Sequence, residues 1–251
     1  MMQDILDDEH GVRMEPFGPE EIKRYSRHLV LKGMGGAGQQ RLKAASVLVV
    51  GAGGLGSPVI AYLAGAGIGR LSIIDHDTVS LSNLQRQIIH STASTGQNKA
   101  ENAAMFARSL NTEIEVLAFA TKLTSGNARE LIQDQDLVID GTDTLSTRRI
   151  VASAAAVASV PLVTGAVSMF DGQVSIIAPG GPTFDDLYPE GAEDADLPSC
   201  EATGILGPLT GVIGSMMAME AVKFLTGIGD PLIGRVAVYS SKNGGMSEFA
   251  Y

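Results

Sequence analysis

Gly51-Ala52-Gly53-Gly54-Leu55-Gly56 stands between an apolar run, Ser46–Val50, and a helical stretch that opens at Ser57. A G-x-G-x-x-G in that setting lets the chain turn tightly and brings backbone N–H groups, with those of the helix N-terminus, up to a phosphate. Asp75 ends the next apolar run, Leu71–Asp75, where a carboxylate accepts from ribose hydroxyls. A nucleotide site is the better reading than an empty turn, but these residues leave the nucleotide open. Leu81-Ser-Asn83-Leu-Gln85-Arg86-Gln87 then crowds amide and guanidinium groups beside that tip, and Lys99 opens a further helix. Arg86 or Lys99 alone would read as part of a solvated basic turn. Together, in an acidic chain, they suit a triphosphate undergoing nucleotidyl or phosphoryl transfer, where charge develops on phosphate oxygens. Asp140-Gly-Thr-Asp143 closes a later strand, where Asp143 either holds magnesium with shared phosphates or caps the helix from Leu145.

Alternating elements position these groups. Glu20–Lys32 has a helical pattern with Ile22, Tyr25, Leu29 and Val30 on one face. Strand Ser46–Val50, helix Ser57–Ala66 with Pro58 in its first turn, and strand Leu71–Asp75 form one βαβ unit. The rhythm continues with helix Gly96–Leu110, strand Ile114–Phe119, helix Ser125–Gln133, strand Asp136–Asp140, helix Leu145–Ala158 and strand Pro161–Val163. Gly172–Ala178 then alternates like an antiparallel strand, and Arg235–Tyr239 with Met246–Phe249 forms a hairpin over Asn243-Gly-Gly. The fold class is α/β, a Rossmann-like, doubly wound, mainly parallel sheet extended by antiparallel strands. Residues 1–19 read as an N-terminal tail and residues 20–251 as one domain.

The chain of 251 residues has 45% hydrophobic and 18% charged residues, which excludes a disordered chain. Its formal charge of -10, with no basic stripe, argues against a nucleic-acid partner. Acidic residues concentrate at Asp4, Asp7, Asp8 and Glu9 and within Asp185–Asp196, two stretches that read as solvated and mobile. One cysteine, Cys200, excludes an intrachain disulfide and a zinc site of several thiolates. The start lacks a basic n-region and apolar run, and Gly204–Met219 is broken by Gly and Pro, so it reads as a buried helix rather than a membrane span. A cytoplasmic protein without a membrane partner is expected.

Arg24-Tyr-Ser-Arg27-His, Gly51–Gly56, Ile74-Asp-His-Asp-Thr-Val-Ser-Leu-Ser-Asn-Leu-Gln-Arg-Gln87 and Gly96-Gln-Asn-Lys99 resemble the ubiquitin-activating-type adenylyltransferases, the HesA/MoeB/ThiF family. Asp143 and the run Gly204–Lys223 extend the resemblance over about residues 20–240. The resemblance implies a homodimer that uses ATP and Mg2+ to adenylate the C-terminal glycine carboxylate of a ubiquitin-fold sulfur carrier ending in Gly-Gly, in molybdopterin or thiamine synthesis. By matching positions, Gly54 lies against the nucleotide and Asp75 holds the ribose. Asn83, Arg86 and Lys99 contact phosphates in the transition state, Asp143 positions magnesium, and Arg27 reaches into the neighbouring subunit's site. The implied nucleotide-contacting set also includes Gly51, Gly53, Gly56, Asp77, Ser82, Leu84, Gln85 and Thr144, the last where relatives often carry asparagine.

In some relatives a cysteine at the position of Cys200 accepts the activated carrier or sulfur, a covalent role that stands beside the simpler reading of a small loop residue. Many relatives close a zinc site with two Cys-x-x-Cys pairs. Gly181–Glu190 has no cysteine where the first pair is expected, so no structural zinc is expected, and Phe184, Leu187 and Tyr188 are expected to pack in its place. Sulfur would come from a separate donor. Two other readings compete: a nicotinamide-dependent oxidoreductase, which gives Arg27, Arg86 and Lys99 no common task, and a non-catalytic scaffold relative.

Overall fold

Short apolar runs of strand length build one eight-stranded sheet. In the computed structural model, which describes residues 16–189, 194 and 204–251, five strands run parallel: β1 Ser46–Val50, β2 Arg70–Ile74, β3 Glu115–Phe119, β4 Leu137–Asp140 and β5 Leu162–Ser168. Asp171–Ile177 (β6), Arg235–Ser240 (β7) and Gly245–Ala250 (β8) add antiparallel strands, giving the order β3-β2-β1-β4-β5-β6-β7-β8. The register sets Val47 opposite Leu71 and Leu137, so alternate side chains leave for opposite faces. Val47, Val49, Leu71, Ile73, Leu137 and Ile139 enter one core, and Leu48, Val50, Ile74 and Val138 enter the other.

The first core is covered by α3 (Gly35–Ala44), α4 (Gly56–Ala66), α5 (Lys99–Leu110) and α9 (Gly207–Thr226). Ala100, Ala103, Ala104 and Ala107 are wholly buried, so the narrow alanine face of α5 packs as the sequence predicts. The second core is covered by α6 (Ala128–Ile132), α7 (Leu145–Ala158) and α8 (Phe184–Leu187). Phe184 and Tyr188 are buried and stack on one another, and Leu187 packs beside them. Helix α9 is long and apolar enough to cross a membrane, yet half of it is buried here, against α4, β5 and β6. Its buried acid, Glu220, accepts from Lys223 Nζ at 2.6 Å and the Leu232 N–H at 2.8 Å.

The helices expected from Gly96 and Ser125 begin later, at Lys99 and Ala128, and the N-terminal helix and the acidic stretch also require correction. The single helix over Glu20–Lys32 is two short helices, α1 (Pro19–Arg24) and α2 (Ser26–Leu29), broken at Tyr25. Tyr25 is buried because its hydroxyl accepts from Asn111 Nδ2 at 2.8 Å, while Ile22 and Val30, expected inside, are 50% and 77% exposed. The acidic stretch is also tied down where it is described. Asp185 pairs with Arg149, Asp186 accepts the Thr183 N–H, and Asp194 accepts the Ser146 N–H at 3.0 Å and hydroxyl at 2.8 Å. Cys200 and the four acidic tail residues lie outside the described residues.

Candidate nucleotide site

The chain leaves β1 for β2 and β3 on one side, while β4 continues on the other. That reversal opens a crevice at the carboxyl ends of the strands. Gly51 opens the glycine loop there at φ +93°, a left-handed conformation that glycine adopts without steric penalty. A Cβ on Gly56 would stand 1.9 Å from the Gly51 carbonyl oxygen, so only glycine fits where the loop folds back to begin α4. The loop is held from three directions. Ser57 Oγ donates to Gly53 O at 2.7 Å, the Ala52 N–H donates to Asp75 Oδ2 at 2.8 Å, and the buried His90 places Nε2 2.9 Å from Ala52 O.

Asp77 meets Lys99 across the loop, with Nζ 2.9 Å from Oδ2. Lys99 is only 7% exposed, so its ammonium is desolvated at the start of α5, facing the crevice. Burial pushes the Asp77 carboxyl up, but Lys99, with His76 and Lys122, holds it below its ordinary value. The folded carboxyl is therefore more acidic than the unfolded one. Its stabilising contribution is full above the unfolded value, about pH 4, and is lost as pH falls through the folded one. Asp77→Asn should accordingly shrink the stability difference between pH 6 and pH 3. Urea midpoints at the two values check this, and an unchanged difference would contradict the pairing.

Asp143 does not cap α7. Thr144 is the N-cap, accepting from the Thr147 N–H, which leaves the Asp143 carboxylate at the crevice without a hydrogen bond from a described residue. Beneath it, Arg148 is 4% exposed and donates to Gly165 O at 2.6 Å and to Thr142 O. Its Nη1 lies 3.8 Å from Oδ2 of the fully buried Asp140. This cation pins the loop that carries Asp143 to β5.

The crevice is a cavity of about 360 Å³. Gly51, Gly53, Gly54, Asp75, Asp77, Arg86, Lys99 and Asp143 line it, so most of the sequence-derived set converges. Gly56, Ser82, Asn83, Leu84, Gln85 and Thr144 stand outside its lining. Asn83 is buried and accepts the Arg86 and Gln87 N–H groups on its backbone carbonyl, and the Gln85 carbonyl lies against Gly207 of α9. Arg27 is exposed and outside the cavity lining.

Sequence reasoning missed Gln87, Lys122, Arg148, Gln173, Tyr188 and Thr210 in the lining. Gln87 closes the motif Leu81–Gln87, and its type gives a usable signal: a buried amide needs partners. Its Oε1 is buried without one among the described residues, while its Nε2 faces Gly53 of the loop. An orphaned polar atom next to a loop where added Cβ atoms would crowd fits a site built around a bound polar molecule.

Fold and cavity define a doubly wound α/β protein of the Rossmann-like class, with a ligand-sized crevice at its switch point. Residues 25–251 match the ThiF family, and the chain belongs to it. The chain is 45% identical over 227 residues to the probable adenylyltransferase/sulfurtransferase MoeZ of Mycobacterium tuberculosis, covering 88% of this chain and 58% of MoeZ. It is 43% identical over 228 residues to a sulfur carrier protein adenylyltransferase of Thermus thermophilus, covering 88% of this chain and 84% of that protein. Among solved structures, E. coli MccB with MccA-N7isoASN superposes with a TM-score of 0.81 at 23% identity, over 91% of this chain and 71% of MccB. That last likeness concerns the fold alone.

Proposed function

We propose that the protein is an ATP-dependent adenylyltransferase acting on the C-terminal glycine carboxylate of a ubiquitin-fold sulfur carrier, in molybdopterin or thiamine synthesis. The observation that carries this reading is the convergence of the glycine loop, Arg86, the buried Lys99 and the Asp143 carboxylate on one cavity. The name of the Thermus thermophilus relative adds the carrier as substrate. A carboxylate oxygen of the carrier attacks the α-phosphorus of ATP. The bond from that phosphorus to the bridging oxygen breaks, and acyl-adenylate and pyrophosphate result.

Gly53 and Gly54, whose N–H groups are not spent on the loop's own bonds as those of Gly51 and Ala52 are, would present backbone N–H groups to the phosphates, and Asp75 would accept from the ribose hydroxyls. Lys99 and Arg86 would oppose the charge that develops on phosphate oxygens, where a desolvated cation acts strongly. Asn83, buried behind them, would steady the turn that carries Arg86. Asp143, an oxygen donor without a hydrogen bond from a described residue, fits a hard cation, and magnesium there would neutralise charge on the departing pyrophosphate. Cys200, if it has the covalent role, would act after adenylation, with sulfur arriving from a separate donor. A homodimer in the cytoplasm completes the reading.

Arg27 would act across the dimer interface. Dimers mixed from Arg27→Ala and Asp143→Ala subunits should then recover about one working site per mixed dimer, measured as ATP–pyrophosphate exchange in the presence of a carrier ending in Gly-Gly. No recovery on mixing would remove Arg27 from the neighbour's site. No exchange by the unaltered protein with any carrier would overturn adenylation itself.

A further inference from the structure

The part of the lining supplied by β6 and by the residue that follows α8 carries a polar pair not assigned to the phosphates. Gln173, on β6, donates through Nε2 to the hydroxyl of Tyr188, and both side chains line the cavity. Tyr188 is 8% exposed, and its ring stacks on Phe184 with centroids 4.8 Å apart, so the hydroxyl is held in place. Burial pushes its pKa up despite the neighbouring Arg148 guanidinium, and the phenol keeps its proton. Because the Tyr188 oxygen accepts from Gln173, its O–H remains to donate, and no described residue receives it. Gln173 is half-buried, and no hydrogen bond from a described residue reaches its Oε1.

A fixed donor beside a fixed acceptor matches one arrangement that recurs in polypeptides. In an extended chain, the C=O and the N–H of a single residue point to the same side, which is how strands pair. We propose that Tyr188 and Gln173 form a subsite that reads one residue of an extended peptide tail, Tyr188 O–H donating to its C=O and Gln173 Oε1 accepting its N–H. This rests on the adenylation reading, since the tail would be the one that ends in the reacting carboxylate. The pair would make a peptide-linked substrate distinguishable from a simple carboxylic acid. Arg148, buried beneath Asp143 and close enough to act on the phenol, ties this subsite to the loop that faces the phosphates.

The test uses the full chain and a Gly-Gly-terminated carrier protein prepared by ligation, with an ester in place of the amide at each of the last four links in turn. Binding is measured with a non-hydrolysable ATP analogue, and ATP–pyrophosphate exchange is followed in parallel. One of the four esters should bind about tenfold more weakly than the amide carrier, the effect of one lost hydrogen bond. Gln173→Met should bind that ester and the amide alike. Tyr188→Phe should weaken carrier binding about tenfold while nucleotide affinity stays unchanged.

Equal binding of all four esters by the unaltered protein would overturn the subsite, and so would a Tyr188→Phe variant that loses nucleotide and carrier in proportion. The ester series needs no change in the protein, so it reads out even if a variant fails to fold. Exchange without ester discrimination overturns the subsite and leaves adenylation standing. Ester discrimination without exchange supports a peptide-reading cavity and overturns adenylation.

Discussion

On the proposed adenylation, Lys99→Ala should lower carrier-stimulated ATP–pyrophosphate exchange about 100-fold or more, the effect expected for removing a charged transition-state contact. The size of the effect follows from burial. Lys99 is 7% exposed, so its ammonium acts in a poorly screened setting and water cannot replace it. Its partner Asp77 is half exposed and tolerates the loss of the ion pair, at a stability cost under about 1 kcal/mol. Activity and stability therefore separate: exchange collapses while the urea midpoint barely moves. Arg86→Ala is expected to behave alike. Unchanged exchange in either variant would remove that residue from the chemistry.

Gly56→Ala is the second large effect, and its sign is diagnostic. In an ordinary helix the change would be favourable by about 1 kcal/mol, since alanine is the better helix former. Here the added Cβ meets the Gly51 backbone carbonyl at 1.9 Å, and no side-chain rotation relieves a clash with backbone. The glycine loop must move, at a cost of about 3 kcal/mol or more. Loop movement also breaks the Ala52 bond to Asp75, so ATP affinity should fall at least about tenfold, the worth of a bond to a charged group. A stabilised variant that binds ATP normally would contradict the loop geometry.

Much of the sheet was legible because parallel strands buried on both faces announce themselves as apolar runs between glycines. Helix Leu145–Ala158 has the bounds its pattern predicts. Strand β5 was cut short at Val163 because Thr164–Ser168 carries little apolar signal. It continues because Asp171–Ile177 pairs with it in antiparallel fashion. Helix α3 was missed because its opening glycines and Gln39-Gln40-Arg41 show no apolar period, although Leu42 is fully buried. The break at Tyr25 depends on Asn111, a partner 86 residues away that no local pattern reveals.

The candidate site divides in the same way. The glycine loop, Asp75, Asp77, Arg86, Lys99 and Asp143 were legible because short motifs at strand ends place them on one edge. Arg148, Gln173 and Tyr188 were not, since each reads as ordinary helix, strand or packing residue until the antiparallel strands fold over the crevice. Thr144 removes the capping alternative for Asp143, because a threonine N-cap leaves the aspartate lining the cavity. The match to the ThiF family confirms the family resemblance that the motifs carry.

The central claim is that a carrier's terminal carboxylate is joined to AMP. Intact-mass measurement of the carrier after brief incubation with the protein, ATP and magnesium, quenched in acid, tests it directly. The account predicts one added AMP on a carrier ending in Gly-Gly, and none once the terminal glycines are removed. An unmodified carrier alongside ADP and free phosphate, or a carrier that gains phosphate instead of AMP, would contradict it.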